Sequence, residues 1–535
     1  MAPNPTLLTV WAAGLAGASG IPGLFLPGNS RRGQRIAAGM ALAASVLGMA
    51  GSLAVLGGGD SAGVRLPWVL SGMALELGLD GLSAFFLLPI FLMGGLGSLY
   101  GLSYWRQAEH PDNGRRLRFF WGTVVGGMAL LVQARNGPAF LLGWEGMALS
   151  GFFLVATEDG RSEAREAGWI YLIATHVGTL CLFGLFALWR RWTGSWEMRE
   201  LRPEQVDAAG ATVFFILAVI AFGIKAGLMP FHVWLPPSHA SAPSHVSAML
   251  SGVVIKMGIY GLVRFLGFMP LPPVGWGALL LALGCASALL GVGFALGQHD
   301  LKRLLAYHSV ENIGIIVMGL GVALLGRSLG GPEWVLLGMA GALLHVWNHG
   351  FFKGLLFLCA GSVLKATGER EIDRLGGLGR RMPWTAAFFA VGAIAICGLP
   401  PLNGFASELL VYLGLLRAAS PGAGASTIGL LGVPVLAAVG ALAVACFVKV
   451  YGAVFLGSPR TGRAEGAHEC SWTMRAPMGV LALACVGIGL FPFLVAPALE
   501  RAAGTAGWGA AAAGAGKGPL PEKPAGSAPI PEEKK

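Results

Sequence analysis

The sequence predicts an all-α integral membrane protein of about 14 transmembrane helices, with two inverted five-helix repeats in which helices 7 and 12 are discontinuous. Three observations predict it. The 535 residues are 55% hydrophobic and 12% charged, with a mean hydropathy of +0.68, which is the composition of a polytopic membrane protein and not of a soluble domain. Apolar runs of about 20 residues, the length that crosses a bilayer, recur along the whole chain. Two of those runs are interrupted by prolines at positions five spans apart.

Taken in order, runs at 4–27, 35–57 and 78–103 predict three flanking helices within residues 1–117. The first run has no basic leader and no A-x-A cleavage site, so it is expected to stay as a span. Runs at 118–134, 138–157, 166–189, 211–239 and 244–266 make a first five-helix unit over 118–266. Runs at 274–297, 303–326, 334–364, 383–416 and 428–456 make a second over 274–456, and helix 14 follows at 475–497. Residues 498–535 are rich in Gly, Ala and Pro without apolar periodicity and are expected to be disordered. The 84 glycines suit close helix packing in lipid.

The seventh run reads GIKAGLMPFHVWLPPSHASAPSH, with Pro230, Pro236, Pro237 and Pro243; the twelfth reads AICGLPPLNGFASELL, with Pro400 and Pro401. A unit with an odd number of spans re-enters the membrane from the opposite side when repeated, so the repeats are inverted. Inverted repeats with broken helices in matching positions mark transporters, and the breaks point at the ion path. Backbone groups freed there need protein or water around them.

The net charge of +10 does not point to nucleic acid. Nineteen basic residues fall in the odd-numbered loops, from Arg31 to Arg475, against nine in the even-numbered ones. The positive-inside rule then places the odd loops in the cytoplasm and both termini outside. The seven cysteines show no cluster-ligand spacing, and neither a P-loop nor a nucleotide fingerprint is present. No cofactor is expected in this chain; redox or ATP chemistry driving it would belong to a partner.

Four lysines lie inside apolar runs: Lys225, Lys256, Lys353 and Lys449. A lysine at the centre of a membrane helix costs about 2.5–3.5 kcal/mol on insertion scales, so proton or ion movement is the default reading. Glu145 is the only acid in its run, and a buried carboxylate there wants a cation, Lys225 or Lys256. A neighbouring carboxylate favours a charged amine and desolvation a neutral one, the tension a proton relay needs. The bland alternatives are an interfacial acid and snorkelling lysines. Lys449 matches Lys256 in the second repeat but lies nearer a helix end, so packing and relay stand equal for it.

In LLHVWNHGFFKGLLFL, His345, His349 and Lys353 are spaced i, i+4, i+8 and share one helical stripe. Two histidines at that spacing could bind a metal, but no third ligand is evident; structural hydrogen bonding is a further alternative, and histidine titrates in the right range for a relay. His308 and Glu311, at i, i+3 with Asn312 beside them, are either relay groups or a brace for the broken seventh helix. Glu408, beyond the second break, could pass protons outwards. His232, His239 and His245 crowd the first break, as an entry path or as partners of unwound backbone.

These motifs occur together elsewhere. Residues 223–261 resemble the antiporter-like family of proton-pumping complex I subunits, Mrp-type sodium/proton antiporter subunits and energy-converting hydrogenase membrane subunits. FLLGWEGMALSGFFLV, HVWNHGFFKGLLFLCAGSV and GLPPLNGFASELL are similar to the family's fifth, eleventh and twelfth helices, and the likeness spans about residues 80–460. LAYHSVENIGII and REAGWIYLIATHVGTLCLFG look most like the hydrogenase 4 and formate hydrogenlyase component B branch.

The resemblance implies that Glu145 and Lys225 match a regulatory acid–lysine pair, Lys256 a central lysine, the eleventh-helix His345, His349 and Lys353 a bridge, and Glu408 a terminal carrier that other members supply as Lys or Glu. His308 and Glu311 depart from the complex I pattern. No lateral helix is expected after residue 497.

The implied function is a proton-translocating subunit, without a redox centre of its own, of a redox-driven oxidoreductase complex in a bacterial or archaeal cytoplasmic membrane. Its partners would be other membrane subunits and peripheral subunits carrying iron–sulfur and nickel–iron centres. A sodium/proton antiporter subunit is the principal rival; a solute transporter and a passive scaffold are the others.

Overall fold

A computed structural model describes residues 4–68, 74–419 and 426–508. In chain order the helices are α1 (Pro5–Ala18), α2 (Arg31–Leu56), α3 (Gly81–Tyr104), α4 (Gly114–Gln133), α5 (Gly137–Val155), α6 (Ser162–Thr193), α7 (Ala208–Ala226) and α8 (Leu235–Ser241). They continue as α9 (Ser244–Phe268), α10 (Val274–Leu296), α11 (Leu301–Leu329), α12 (Pro332–Thr367), α13 (Pro383–Ile396), α14 (Asn403–Ala418), α15 (Ser426–Phe455), α16 (Trp472–Leu490) and α17 (Ala496–Thr505). A small hairpin pairs β1 (Val64–Pro67) with β2 (Ala74–Leu77), antiparallel.

Among the described residues, 12 helices are long and apolar enough to cross a membrane. Two further spans of the expected set complete the pattern. Helix α4 opens with Arg115, Arg116 and Arg118, which dilute its hydropathy, and the twelfth span is divided into α13 and α14, each too short alone. Helices α9 and α11 are buried over the whole of their apolar windows, whereas α15 and α16 are one-third buried. The fold therefore has two central helices ringed by others, and the ionisable groups ride on the central ones and their neighbours.

Glycine makes the closest crossings possible. Gly284 and Gly291 on α10 face α11, where a methyl on Gly284 would fall 2.7 Å from the Met318 nitrogen and one on Gly291 2.6 Å from that of Glu311. In lipid this contact replaces the hydrophobic drive that water would supply.

Helix α7 ends at Gly227, whose φ of +73° gives a left-handed cap. The carbonyls and amides freed before α8 find side chains. Trp234 Nε1 donates to the Ile224 carbonyl at 2.7 Å, and the Met229 amide donates to Ser287 Oγ at 3.3 Å. In the second break Gly398 takes φ +62°, and Asn348 Nδ2 donates to the Asn403 carbonyl at 2.6 Å. Protein side chains thus meet part of the freed backbone at each discontinuity, as the cost of bare backbone in lipid requires, while Pro230, Leu399, Pro400 and Pro401 are exposed.

One end of the bundle is tied by charge. Asp80 caps α3 through the Ser83 amide at 2.8 Å and accepts from Arg264 of α9 at 2.7 Å and Arg135 at 3.2 Å. Burial pushes the Asp80 carboxyl up, but Arg264 and Arg135 outweigh it and hold the group well below the usual carboxylate range.

The segment after residue 497, expected to be without structure, is corrected in its first part. Helix α17 packs against α3, with Leu499, Ala502 and Ala506 inward and Trp508 1% exposed. Leu499, Ala502 and Ala506 recur at i, i+3 and i+7, an amphipathic stripe that the glycine- and alanine-rich surroundings masked in the sequence, and Trp508 Nε1 donates to the Val263 carbonyl and anchors the turn. Residues 509–535 lie outside the described residues.

Candidate functional site

The site is a row of buried polar side chains carried by α5 to α14. At its first end, α7 places Lys225 in an aromatic box. Its Nζ donates to the Tyr171 hydroxyl at 3.2 Å and lies 5.2 Å from the Tyr171 ring centre and 5.5 Å from that of Trp144. Rings that close attract an ammonium by their quadrupoles, most strongly when water is excluded. Glu145 is one residue from Trp144, but no ion pair within 4 Å joins it to Lys225 or Lys256 among the described residues. Its side chain is 28% exposed, Oε1 accepts from Thr179 at 2.5 Å, and Oε2 lies 3.8 Å from His176 Nε2. Glu145 is therefore less buried than its depth in the sequence run suggested, because it faces outward between α5 and α6.

Helix α9 contains a π-helical turn at Leu250–Val254, immediately before Lys256. The Ile255 amide reaches back to the Leu250 carbonyl at 3.1 Å, which leaves the Ser251 carbonyl to accept from Lys256 Nζ at 2.5 Å. Such turns commonly aim a side chain at a functional site. Here the aimed amine also contacts His349 Nδ1 on α12.

The α12 stripe then distributes contacts in both directions. His345 has both ring nitrogens engaged, one with Ser407 Oγ at 2.9 Å and the other with Asn312 Oδ1 at 3.0 Å. Asn348 Nδ2 donates to Ser407 Oγ at 2.9 Å, and Ser407 adjoins Glu408, which is 8% exposed. Lys353 donates to the Leu305 carbonyl of α11. One turn further along α11, His308 contacts Glu311 through Nδ1, and Asn312 donates to the His308 carbonyl at 2.8 Å. Lys256, His308, His345, His349 and Lys353 are all buried.

Several ring nitrogens in this region have no hydrogen-bond partner among the described residues: both of His239, and Nε2 of His308 and of His349. His239 does not brace the unwound backbone through its ring; it stacks on Phe357 at 5.2 Å, and Lys353 Nζ lies 5.6 Å from the same ring. Lys449 stands apart from the row. It donates to the Leu296 and Gln298 carbonyls at 2.7 and 3.0 Å and so caps the end of α10.

Sequence reasoning missed three contributors. Lys302 counts as a loop charge by position, but it is 2% exposed and donates to the Ala240 and Ala242 carbonyls. It lines a cleft of about 680 Å³ with Tyr104, Glu109, Glu158, Lys365 and Glu369. Ser407 and Tyr171 carry no charge, so nothing in their spacing marks them; the proline break beside Ser407 was the one available signal.

The family described as NADH:quinone oxidoreductase/Mrp antiporter, TM, matches residues 134–431. The chain is similar to hydrogenase-4 component B of Escherichia coli (strain K12), 38% identical over 501 residues that cover 93% of this chain and 74% of that protein. It is 37% identical to formate hydrogenlyase subunit 3 of the same organism over 441 residues, 82% of this chain and 71% of that one. Its structure is similar to a chain of the Mrp complex from Dietzia sp. DQ12-45-1b, with a TM-score of 0.78, 26% identity and coverage of 94% and 52%. A chain of respiratory complex I from Thermus thermophilus gives a TM-score of 0.73 at 25% identity, covering 94% of this chain and 99% of that one.

Proposed function

The chain belongs to the NADH:quinone oxidoreductase/Mrp antiporter membrane family and is a proton-translocating subunit of a hetero-oligomeric membrane complex, and from that premise we propose that its protons move along the polar row from Lys225 through Lys256, His349 and His345 to Glu408, with Lys353 on a branch from His349 toward α11. The observation that carries this reading is the contact of Lys256 with His349 across α9 and α12; the His345 ring lies parallel to that of His349 with centres 6.4 Å apart and is bonded to Ser407, the residue before Glu408 in the chain. Glu145 biases the first amine, and His308 with Glu311 forms a buried branch beside Lys353. Buried polar groups without a protein partner are met by water, so the free nitrogens of His239, His308 and His349 support hydration along the row. The cleft at Lys302 leads to Ala240 and Ala242, next to His239, and serves as the entry.

The drive is redox chemistry in peripheral subunits carrying iron–sulfur and nickel–iron centres, as in a hydrogenase-type complex, and the membrane is the cytoplasmic one, with both termini outside. Proton transfer here needs only amines, imidazoles and carboxylates that exchange one proton at a time; electrons never enter this chain.

Replacing Lys256 with Met keeps the apolar stem and removes the amine. In the intact complex in proteoliposomes, this variant should lose proton translocation by about 100-fold, the low end of what a positioned acid–base group contributes, while partner electron transfer continues. Full pumping by that variant would overturn the reading. The likeness to the Mrp chain favours a second reading, exchange of sodium for protons without redox drive. Sodium flux coupled to proton flux, with only small membrane subunits co-purifying, would select it.

A further inference from the structure

Arg31, Arg35 and Arg106 converge on one pocket. Its volume is about 380 Å³, and it opens between the start of α2 and the segment that follows α3, with Gln34, Leu102 and Gln107 completing its wall. The floor of the pocket is tied. Gln34, 7% exposed, donates from Nε2 to the carbonyls of Gly101, Leu102 and Trp105 at 3.2–3.3 Å, and its Oε1 accepts from the Gln107 amide at 3.1 Å. Gln107 Nε2 in turn donates to the Gly28 carbonyl. The wall is therefore in place before anything enters.

The charge of the pocket is not balanced by protein. Arg106 lies 3.2 Å from Glu109, which also serves Lys365 at 3.7 Å. Arg31 and Arg35 have neither an ion pair nor a side-chain hydrogen bond among the described residues. Arg31 opens α2 and Arg35 follows one turn on, in a helix with no acid in its first turn. The dipole of a helix disfavours cations at that end. An anion in the pocket would relieve both repulsions at once.

The helix face beneath the pocket says which anion. At 3.6 residues per turn, Arg31 and Arg35 share one stripe of α2 with Leu42, Val46 and Leu53, which are 36%, 64% and 55% exposed. Val46 lies about 16 Å along the axis from Arg35, close to the depth of one leaflet of the hydrocarbon core. Guanidinium groups suit a phosphodiester by charge and by shape. An apolar strip one leaflet deep below them suits an acyl chain, and a free phosphate has no use for it.

We propose that this pocket binds the headgroup of an anionic phospholipid, with Arg31 and Arg35 as its principal contacts, Arg106 as the third, and an acyl chain laid along the α2 stripe. A zwitterionic lipid offers the same phosphodiester but brings a cation that three guanidinium groups repel, so the net charge of the headgroup decides. The bound lipid ties the start of α2 to the segment between α3 and α4. This site does not depend on the relay reading.

The test uses the intact complex, delipidated in detergent and titrated with phosphatidylglycerol or phosphatidylcholine carrying a photoreactive acyl chain, with labelling of residues 36–53 read by peptide mapping. Phosphatidylglycerol should label that segment at about tenfold lower concentration than phosphatidylcholine, and millimolar inorganic phosphate should not displace it. Arg35→Gln should weaken labelling about fivefold, the share of one basic residue beside anionic lipid, and Arg31→Gln added to it about fivefold again. Arg35→Lys should keep most of the labelling. Arg32→Gln removes a charge from the same turn but not from the pocket wall, so it should change labelling less than twofold. Equal labelling by the two lipids overturns the proposal, as does a segment that phosphatidylglycerol leaves unlabelled because an acidic stretch of a partner subunit covers it. An Arg32→Gln complex as impaired as Arg35→Gln means general surface attraction and no site. Displacement by inorganic phosphate means a free-anion site and overturns the lipid.

Discussion

At the Lys225 end the titratable amine is held by ring faces and one phenol, with its carboxylate turned away toward the outside of α6. At the Glu408 end the groups are fully enclosed and joined by small polar side chains, with His345 bonded to both Asn312 and Ser407, and Ser407 to Asn348. Around Lys225 the ring faces stabilise charge and one hydroxyl accepts; around His345 a hydroxyl, two amides and an imidazole supply donors and acceptors in sequence. In the proposed relay, the first arrangement suits holding a proton and the second suits passing it on.

Ser407→Ala tests the Glu408 end most directly. It removes the hydroxyl that His345 and Asn348 share and leaves both buried groups short of a partner. A buried polar group left without its partner costs about 1–3 kcal/mol, two such groups are left here, and about 1.4 kcal/mol is tenfold in rate. Translocation in proteoliposomes should therefore fall about 30-fold or more, with partner electron transfer retained. A rate within twofold of the parent would mean that the passage end does not depend on its small polar links.

Tyr171→Phe probes the other end and should do less. The phenyl ring keeps its place beside Lys225 and so keeps the ring attraction; what is lost is one hydrogen bond from the ammonium, 3.2 Å long, at the low end of the range of about 1.5–3 kcal/mol for charged groups. The expected loss in translocation is about tenfold. A loss as large as that of Ser407→Ala would erase the distinction, because it would make the hydroxyl and not the ring face the important part of the box.

How much of this was legible in the sequence follows from what each signal measures. Apolar runs measure burial in lipid, and they located the spans, including α4 despite its three arginines and the twelfth span despite its break. Prolines measure backbone interruption, and both discontinuities fall where Pro230 and Pro400 stand. Charge inside an apolar run measures cost, and it singled out Lys225, Lys256, Lys353 and Lys449, the last of which lies apart from the row at the end of α10. The same measure failed for Lys302, two residues into α11, since only the fold lays the Ala240 and Ala242 carbonyls across it. It failed in the other direction for Glu145, because depth along a helix says nothing about which side of that helix faces out. Uncharged links such as Ser407 and Asn348 have no sequence cost and became visible only as contacts.

Lys449→Met gives the smallest expected effect and fixes the boundary of the row. This lysine is expensive in lipid by the same scale as Lys256, yet its amine is spent on the Leu296 and Gln298 carbonyls at the end of α10. The last carbonyls of a helix have no partner within it, and a lysine is a suitable donor to them. Removing it should cost about 1 kcal/mol of stability, read as a lower Tm of the detergent-solubilised complex, and should leave translocation per folded complex within twofold. A large loss of translocation at unchanged Tm would place Lys449 in the row after all, and the second repeat would then carry a working counterpart of Lys256. The expected result says instead that matching positions in the two repeats hold the same amine for different reasons, one aimed by a π-helical turn at a histidine and the other closing a helix.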